Sequence, residues 1–229
     1  MSLEFLFIDL DDTILDFGKA EGIALNKTLT AFNLVPTEAV RSRYSQINKA
    51  HWERLERGEL TRAQVMFGRF ATLFDEFGIT GDPQLASDTY AQNLSIGHYF
   101  LPGAEEALEK LSKKYKLYLA SNGNAAVQAG RLKSANISRY FEDIFISQEV
   151  GADKPSPLFF ARAFARIPGF DPSKAMIVGD SLTSDIKGGN NAGIRTCWVN
   201  PKHLPQRADI QVDYEIESLA QLEQLLDTL

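Results

Sequence analysis

Cysteine is almost absent from this chain: Cys197 stands alone, so no disulfide forms within it and a reducing, cytoplasmic setting is expected. Histidine is nearly as scarce. His51, His98 and His203 are scattered, without the spacings that hold zinc, and read as structural or exposed positions. No apolar run approaches the roughly 18 residues that a membrane span takes, and the N-terminal one stops at Asp9 with no basic stretch before it. No membrane partner is therefore expected. Positive charge is also short: 24 Lys and Arg stand against 30 Asp and Glu, for a net charge of −6 and a pI near 5.2. That balance argues against a nucleic-acid polymer as partner, whereas a phosphorylated small molecule needs only a local positive site. Internal repeats and low-complexity linkers are missing too. What remains is 229 residues, 44% hydrophobic, enough for one large core or a core plus an insertion.

The densest chemistry lies in Phe5-Leu6-Phe7-Ile8-Asp9-Leu10-Asp11-Asp12-Thr13. A short apolar run bounded by polar residues suits a strand buried on both faces. Three carboxylates and a hydroxyl follow, and acids packed this closely cannot sit unpaired in a core. Asp9 and Asp11 are two residues apart, so an extended backbone points both to one side. Such a pair offers one carboxylate to attack and one to move protons. Taken alone, the stretch also fits a strand ending in a solvated acidic turn.

From about Gly18 to Gly97 the apolar spacing is helical. Ala20, Ile23, Ala24 and Leu29 make one face, Trp52, Leu55 and Leu60 another, and Val65, Phe67, Phe70, Leu73 and Phe74 a third. Gly58, the stretch Gly78 to Pro83, and Gly97 break these helices. From Leu101 onward helix and strand patterns alternate, with strands at Lys116–Ser121, Ile144–Ser147, Ala175–Gly179 and Arg195–Val199. Alternation at these spacings predicts parallel βαβ units. The expected fold is α/β, a Rossmann-like doubly wound parallel sheet core with an inserted all-helical cap domain. Its boundaries fall at residues 1–16 with 98–229 for the core and 17–97 for the insertion.

Ligands of such sheets gather at the carboxyl ends of the strands. Those ends deliver Asp9, Asp11 and Thr13, then Ser121, Asn122 and Gly123, then Lys154 in the loop after the third strand, then Asp180 and Asp185. The hydroxyl and amides that follow the second strand, at a helix start, make an anion site. Four acids would converge on one lysine. Like charges a few Å apart cost on the order of several kcal/mol at intermediate dielectric. A hard divalent cation with oxygen ligands resolves the conflict, and Mg²⁺ is the usual choice beside phosphate. Mg²⁺, Lys154, Ser121 and backbone amides would also offset the charge of a phosphate approached by a carboxylate nucleophile.

In their order and spacing these residues resemble the haloacid dehalogenase superfamily of phosphohydrolases over essentially the whole chain. Asp9-Leu10-Asp11-Asp12-Thr13 is similar to its first motif, Ser121 to its second, Lys154 to its third, and Gly179-Asp180 with Asp185 to its fourth. The resemblance implies that Asp9 is the nucleophile of an aspartyl-phosphate and that Asp11 protonates the leaving alkoxide, then activates water. It implies Mg²⁺ held by Asp9, the Asp11 carbonyl and Asp180, with Asp185 in support. Thr13, Ser121, Asn122 and Lys154 are then the phosphate-binding candidates. Asp12, where many members carry glycine, receives no catalytic role.

The helical insertion resembles the superfamily's C1-type cap, which closes over substrate and selects the leaving group. Within the superfamily, Asn48-Lys49-Ala50-His51-Trp52, Gly68-Arg69-Phe70 and the run Gly179 to Ile186 are similar to the bacterial pyrimidine 5′-nucleotidases. His51 departs from that pattern, in which an apolar residue is usual. Phe17, Asn48, Trp52 and Arg69 are the specificity candidates, each with a packing or ion-pair role as its plain alternative. For Trp52 packing weighs more than base stacking. Gly188 to Gly193 reads as helix packing and capping, since it lacks the P-loop pattern.

The expected activity is a Mg²⁺-dependent phosphomonoesterase whose small phosphorylated substrate is a pyrimidine nucleoside monophosphate. A phosphosugar or phosphoglycolate phosphatase is the rival within the fold. A dehalogenase is disfavoured, since it needs neither Asp11 nor the metal-binding acids. A non-catalytic phosphoacceptor regulatory domain also combines acids, a hydroxyl and a lysine on a doubly wound sheet. Such domains lack a cap, so the insertion and Asp11 favour the enzyme.

Overall fold

The computed structural model describes residues 3–229; Met1 and Ser2, which open the expected first core segment, lie outside the described residues. The chain divides into two units. One takes the described residues up to Phe17 together with His98–Leu229, and the other is Gly18–Gly97.

The first unit is a six-stranded, all-parallel sheet with helices on both faces: α5 Ala104–Leu111, α6 Ala125–Ala135, α7 Ser147–Val150, α8 Pro157–Phe164, α9 Lys187–Ala192 and α10 Leu222–Leu226. Its strands are β1 Phe5–Ile8, β2 Lys116–Ser121, β3 Asp143–Ile146, β4 Ala175–Gly179, β5 Arg195–Val199 and β6 Tyr214–Ile216, in the order β3-β2-β1-β4-β5-β6. β1 is central, and all four of its residues are buried. Strand alternation splits them: Leu6 and Ile8 enter one apolar layer with Leu108, Leu117, Leu119 and Val178, while Phe5 and Phe7 enter the other with Phe145, Phe159 and Phe160. Phe7 stacks on Tyr118 at 5.3 Å between centroids. Each such fully buried side chain contributes roughly 1.5–3 kcal/mol of burial free energy. Because the chain winds from β1 toward β3 on one side and from β4 toward β6 on the other, the ends of β1 and β4 form the switch point where doubly wound sheets bind ligands.

The sheet departs from the sequence expectation at its margins. β3 starts one residue early, and Ser147 opens a short helix (Ser147–Val150) instead of closing the strand. The three-residue β6 and the closing helix Leu222–Leu226 carry too little periodicity to be read in advance.

The second unit is all-helical: α1 Phe17–Ala31, α2 Glu38–Glu56, α3 Arg62–Phe77 and α4 Pro83–Leu94, with Phe17 itself assigned to the first unit. Local chemistry sets the ends. Thr37 caps α2, Thr61 and Gln64 form a capping box on α3, and Asp82 followed by Pro83 starts α4. Gly78 ends α3 at φ 60°, a left-handed conformation that suits glycine. Tyr44, Phe70 and Tyr90 pack at centroid distances of 5.1–5.5 Å at its centre. Among the described residues, no helix is long and apolar enough to cross a membrane.

Candidate active site

β1 ends by bending sharply. Asp9 still donates its N–H to the ladder, to the Val178 carbonyl at 2.9 Å, and the chain then folds back through bridges from Leu15 to Asp11 and to Phe100. Asp12 sits at φ 55°, and its Oδ1 accepts the Phe17 N–H at 2.9 Å. Aspartate is one of the few residues besides glycine that tolerate this conformation. The bend carries Asp9, Asp11 and Thr13 out of the strand. Asp9 is 6% exposed and Thr13 fully buried, its hydroxyl without a hydrogen-bond partner among the described residues.

Lys154 reaches the same point from the loop after β3 and is 1% exposed. Its ammonium donates to Asp9 Oδ1 at 2.7 Å, to Asp185 Oδ1, and to the Ala120 carbonyl. All three donors of an ammonium are thereby engaged, so Lys154 offers its charge to a ligand instead of a vacant N–H. Asn122 holds the lysine's backbone from both sides: Nδ2 donates to the Lys154 carbonyl at 2.8 Å and Oδ1 accepts the Lys154 N–H at 2.9 Å. The side chain expected to bind phosphate is therefore a clamp on the loop. Ser121, 1% exposed, accepts a hydrogen bond from Gln128 Nε2 at 2.9 Å and keeps its own proton to donate.

Asp180 and Asp185 lie beyond β4. Asp185 Oδ2 accepts the Ser181 N–H at 3.1 Å, and a Cβ at Gly179 would overlap the Asp185 carboxylate. Glycine is required there by close approach. The Asp180 carbonyl accepts the indole N–H of Trp198 at 2.7 Å. Carboxylate oxygens of Asp9, Asp180 and Asp185 all lie within 4.8 Å of one another.

Charge dominates this cluster. Burial pushes the Asp9 carboxyl well above the usual carboxylate range; Lys154 opposes this, and Asp185 and Asp11 add to it. Burial likewise raises Asp180, with Asp185 and Asp9 adding to it. For Lys154, burial alone would lower the pKa, but the Asp185 and Asp9 charges outweigh it and hold the ammonium above its ordinary value. An ion pair with Lys154 should depress Asp9; burial outweighs it, and neighbouring carboxylates that share the one ammonium add to the rise. The direction that stands is a charged Lys154 and an under-compensated carboxylate cluster. Hard oxygen donors at this spacing, three carboxylates beside one ammonium, fit a divalent cation.

Asp11 is placed beside the cluster but is not part of it. Its Oδ1 is ion-paired with Arg131 and its Oδ2 accepts from Gln128 Nε2 at 2.7 Å. Sequence reasoning passed over both partners. They lie three residues apart on α6 (Ala125–Ala135), which is N-capped by Asn124, and both are buried along with Val127 and Leu132. A glutamine and an arginine in the buried stripe of a helix are the available signal, since buried polar groups need partners; the sequence does not say which.

The specificity candidates separate. Asn48 and Arg69 meet inside the helical unit, 4% and 3% exposed. Arg69 Nη1 donates to Asn48 Oδ1 at 3.0 Å, Asn48 Nδ2 donates to Glu21 Oε1 at 2.7 Å, and the Arg69 guanidinium lies 4.8 Å from the Tyr90 ring centre. They knit α1, α2 and α3 together. Trp52 is half-buried with the Arg62 guanidinium over its ring, and Phe17, also half-buried, lies under Arg131 at 5.8 Å.

Comparison with known proteins supplies the family. Residues 4–193 match the haloacid dehalogenase-like hydrolase family. The chain is 39% identical to the pyrimidine 5′-nucleotidase PynA of Streptococcus pneumoniae, over 99% of this chain and 96% of that one. It is 31% identical to the pyrimidine 5′-nucleotidase YjjG of Escherichia coli, over 99% of each. The crystal structure of the HAD-hydrolase YfnB of Bacillus subtilis, bound to magnesium, superposes with a TM-score of 0.95 at 37% identity, covering 99% of this chain and 100% of that one. The chain belongs to the haloacid dehalogenase-like hydrolases.

Proposed function

We propose that this hydrolase is a Mg²⁺-dependent phosphomonoesterase acting through an aspartyl-phosphate on Asp9, with pyrimidine nucleoside 5′-monophosphates as substrates. The observation that carries the reading is Asp9 itself. It is buried at the end of the central strand, 2.7 Å from the Lys154 ammonium, with the Asp180 and Asp185 carboxylates beside it. Full-length relatives named as pyrimidine 5′-nucleotidases support the substrate class.

Asp9 and Asp180 are the residues to hold the cation, with Asp185 behind them because both its oxygens already accept hydrogen bonds from Lys154 and Ser181. Bound there, Mg²⁺ offsets the charge of the phosphoryl oxygens. An Asp9 oxygen forms the bond to phosphorus as the ester P–O bond breaks. Asp11 gives its proton to the departing alkoxide, then takes one from the water that cleaves the aspartyl-phosphate. Ser121, its oxygen steadied by Gln128, donates to a phosphoryl oxygen, and main-chain N–H groups leading into α6 do the same. Lys154 keeps Asp9 aligned and adds positive charge.

The test is an ester panel with Mg²⁺: UMP, dUMP and dTMP against purine nucleotides and phosphosugars. Faster turnover of the pyrimidine nucleotides is expected, and preference for a phosphosugar would overturn the substrate class. Asp9→Asn should abolish hydrolysis with the fold retained. Substantial turnover by that variant removes the nucleophile, and wild-type activity indifferent to EDTA removes the metal.

A further inference from the structure

We infer that Gln128 and Arg131 are positioning residues that aim the Asp11 carboxyl at the leaving group, with Gln128 also tying it to Ser121. The inference rests on the phosphomonoesterase reading and assigns work to two residues outside its motifs. Both project from one face of α6, as residues three apart do. Arg131 is fully buried and Gln128 is 3% exposed. Burying a guanidinium costs several kcal/mol unless it is well paired, and this one is paired with Asp11.

The hydrogen bonds close a ring. Arg131 Nη1 bonds Asp11 Oδ1 and also donates to Gln128 Oε1 at 3.2 Å; Gln128 Nε2 donates to Asp11 Oδ2 at 2.7 Å and to Ser121 Oγ at 2.9 Å. Both Asp11 oxygens are thus oriented, and one amide couples the proton carrier to a hydroxyl assigned to the phosphoryl group. Gly123 makes room for that amide, since a Cβ there would meet Gln128 Cγ and Nε2 at 2.7 Å. A misplacement of about 1 Å in such an arrangement can cost on the order of a hundredfold in rate.

Leaving-group chemistry separates positioning from scaffolding. As the Asp9–phosphorus bond forms and the ester bond breaks, an alkoxide must take the Asp11 proton, whereas p-nitrophenolate departs without one. The value of kcat/KM reports this first step. It is to be measured for Arg131→Met, Arg131→Lys and Gln128→Met on UMP or another alkyl monophosphate and on p-nitrophenyl phosphate, with melting curves for each protein. On the alkyl ester Arg131→Met and Gln128→Met should lose about tenfold or more, part of the roughly 10²–10⁴-fold that general-acid catalysis supplies, and distinctly less on p-nitrophenyl phosphate. Arg131→Lys should recover part of the ratio. Equal losses on both esters, or none, overturn the inference. Should Arg131→Met not fold, Gln128→Met and Arg131→Lys read the same ratio. A wild type inactive on both esters would instead overturn the phosphomonoesterase reading itself.

Discussion

Asp12 shows how one residue serves the bend without serving the chemistry. Its left-handed φ of 55° and its bond to the Phe17 N–H hold the turn that presents Asp9 and Asp11. Asp12→Gly should therefore leave stability and turnover nearly unchanged, because glycine replaces a lost hydrogen bond with an easier backbone. Asp12→Val should lose about 1–2 kcal/mol, the cost of forcing a branched residue into that conformation. Urea denaturation of the two variants checks the contrast; a stable valine variant would contradict it. The exposed, turn-forming Asp12 differs from Asp9 and Asp11 in its surroundings alone, since the three acids look alike as residues. Asp9, Asp11, Asp180 and Asp185 were legible because they follow strand patterns, and Lys154 because it stands in the loop region beyond one. The partners that orient them were not.

At the scale of elements, helix α9 (Lys187–Ala192) shows the role of close packing. A Cβ on Gly189 would meet Ile177 Cγ2 at 2.6 Å and Thr196 Cγ2 at 2.7 Å, both on buried strands. Gly189→Ala should push the helix off β4 and β5 and cost about 1–3 kcal/mol as an overpacked core does, read as a lower urea midpoint. β5 also supports the site directly, because Trp198 anchors the Asp180 carbonyl through its indole N–H. Trp198→Phe keeps most of the packing and removes that bond. Outer partners of a metal ligand are worth about 10- to 100-fold in affinity; for a main-chain anchor the lower end is expected. Calorimetric titration with Mg²⁺ measures it, and unchanged affinity would leave Trp198 a packing residue only.

For the whole molecule, the under-compensated cluster makes stability depend on pH and on the cation together. The Asp9 and Asp180 carboxyls are raised above their unfolded values, so between the usual carboxylate range and those raised values the folded state binds more protons than the unfolded one. Their contribution is full below the unfolded pKa and is lost as pH rises through the folded one. In EDTA, this contribution makes the protein less stable at about pH 8 than at about pH 5. Mg²⁺ should raise the melting temperature more at the higher pH, where it displaces fewer protons. Melting curves at both pH values, with and without Mg²⁺, test the sign; a larger Mg²⁺ effect at the lower pH would refute it.

By itself the sequence determined the parallel α/β core, the helical insertion and the acids, hydroxyl and lysine at the strand ends. These follow from periodicity and turn chemistry, which are properties of the local backbone. Only the tertiary structure decided that Lys154 spends its donors inside the site, that Asn122 clamps its loop, and that Asn48 and Arg69 bond to each other. It alone brought Gln128 and Arg131 to Asp11 across 117 and 120 positions of chain. Such pairings follow from where a buried polar group finds its partner, a choice made by three-dimensional packing and left unmarked by local spacing.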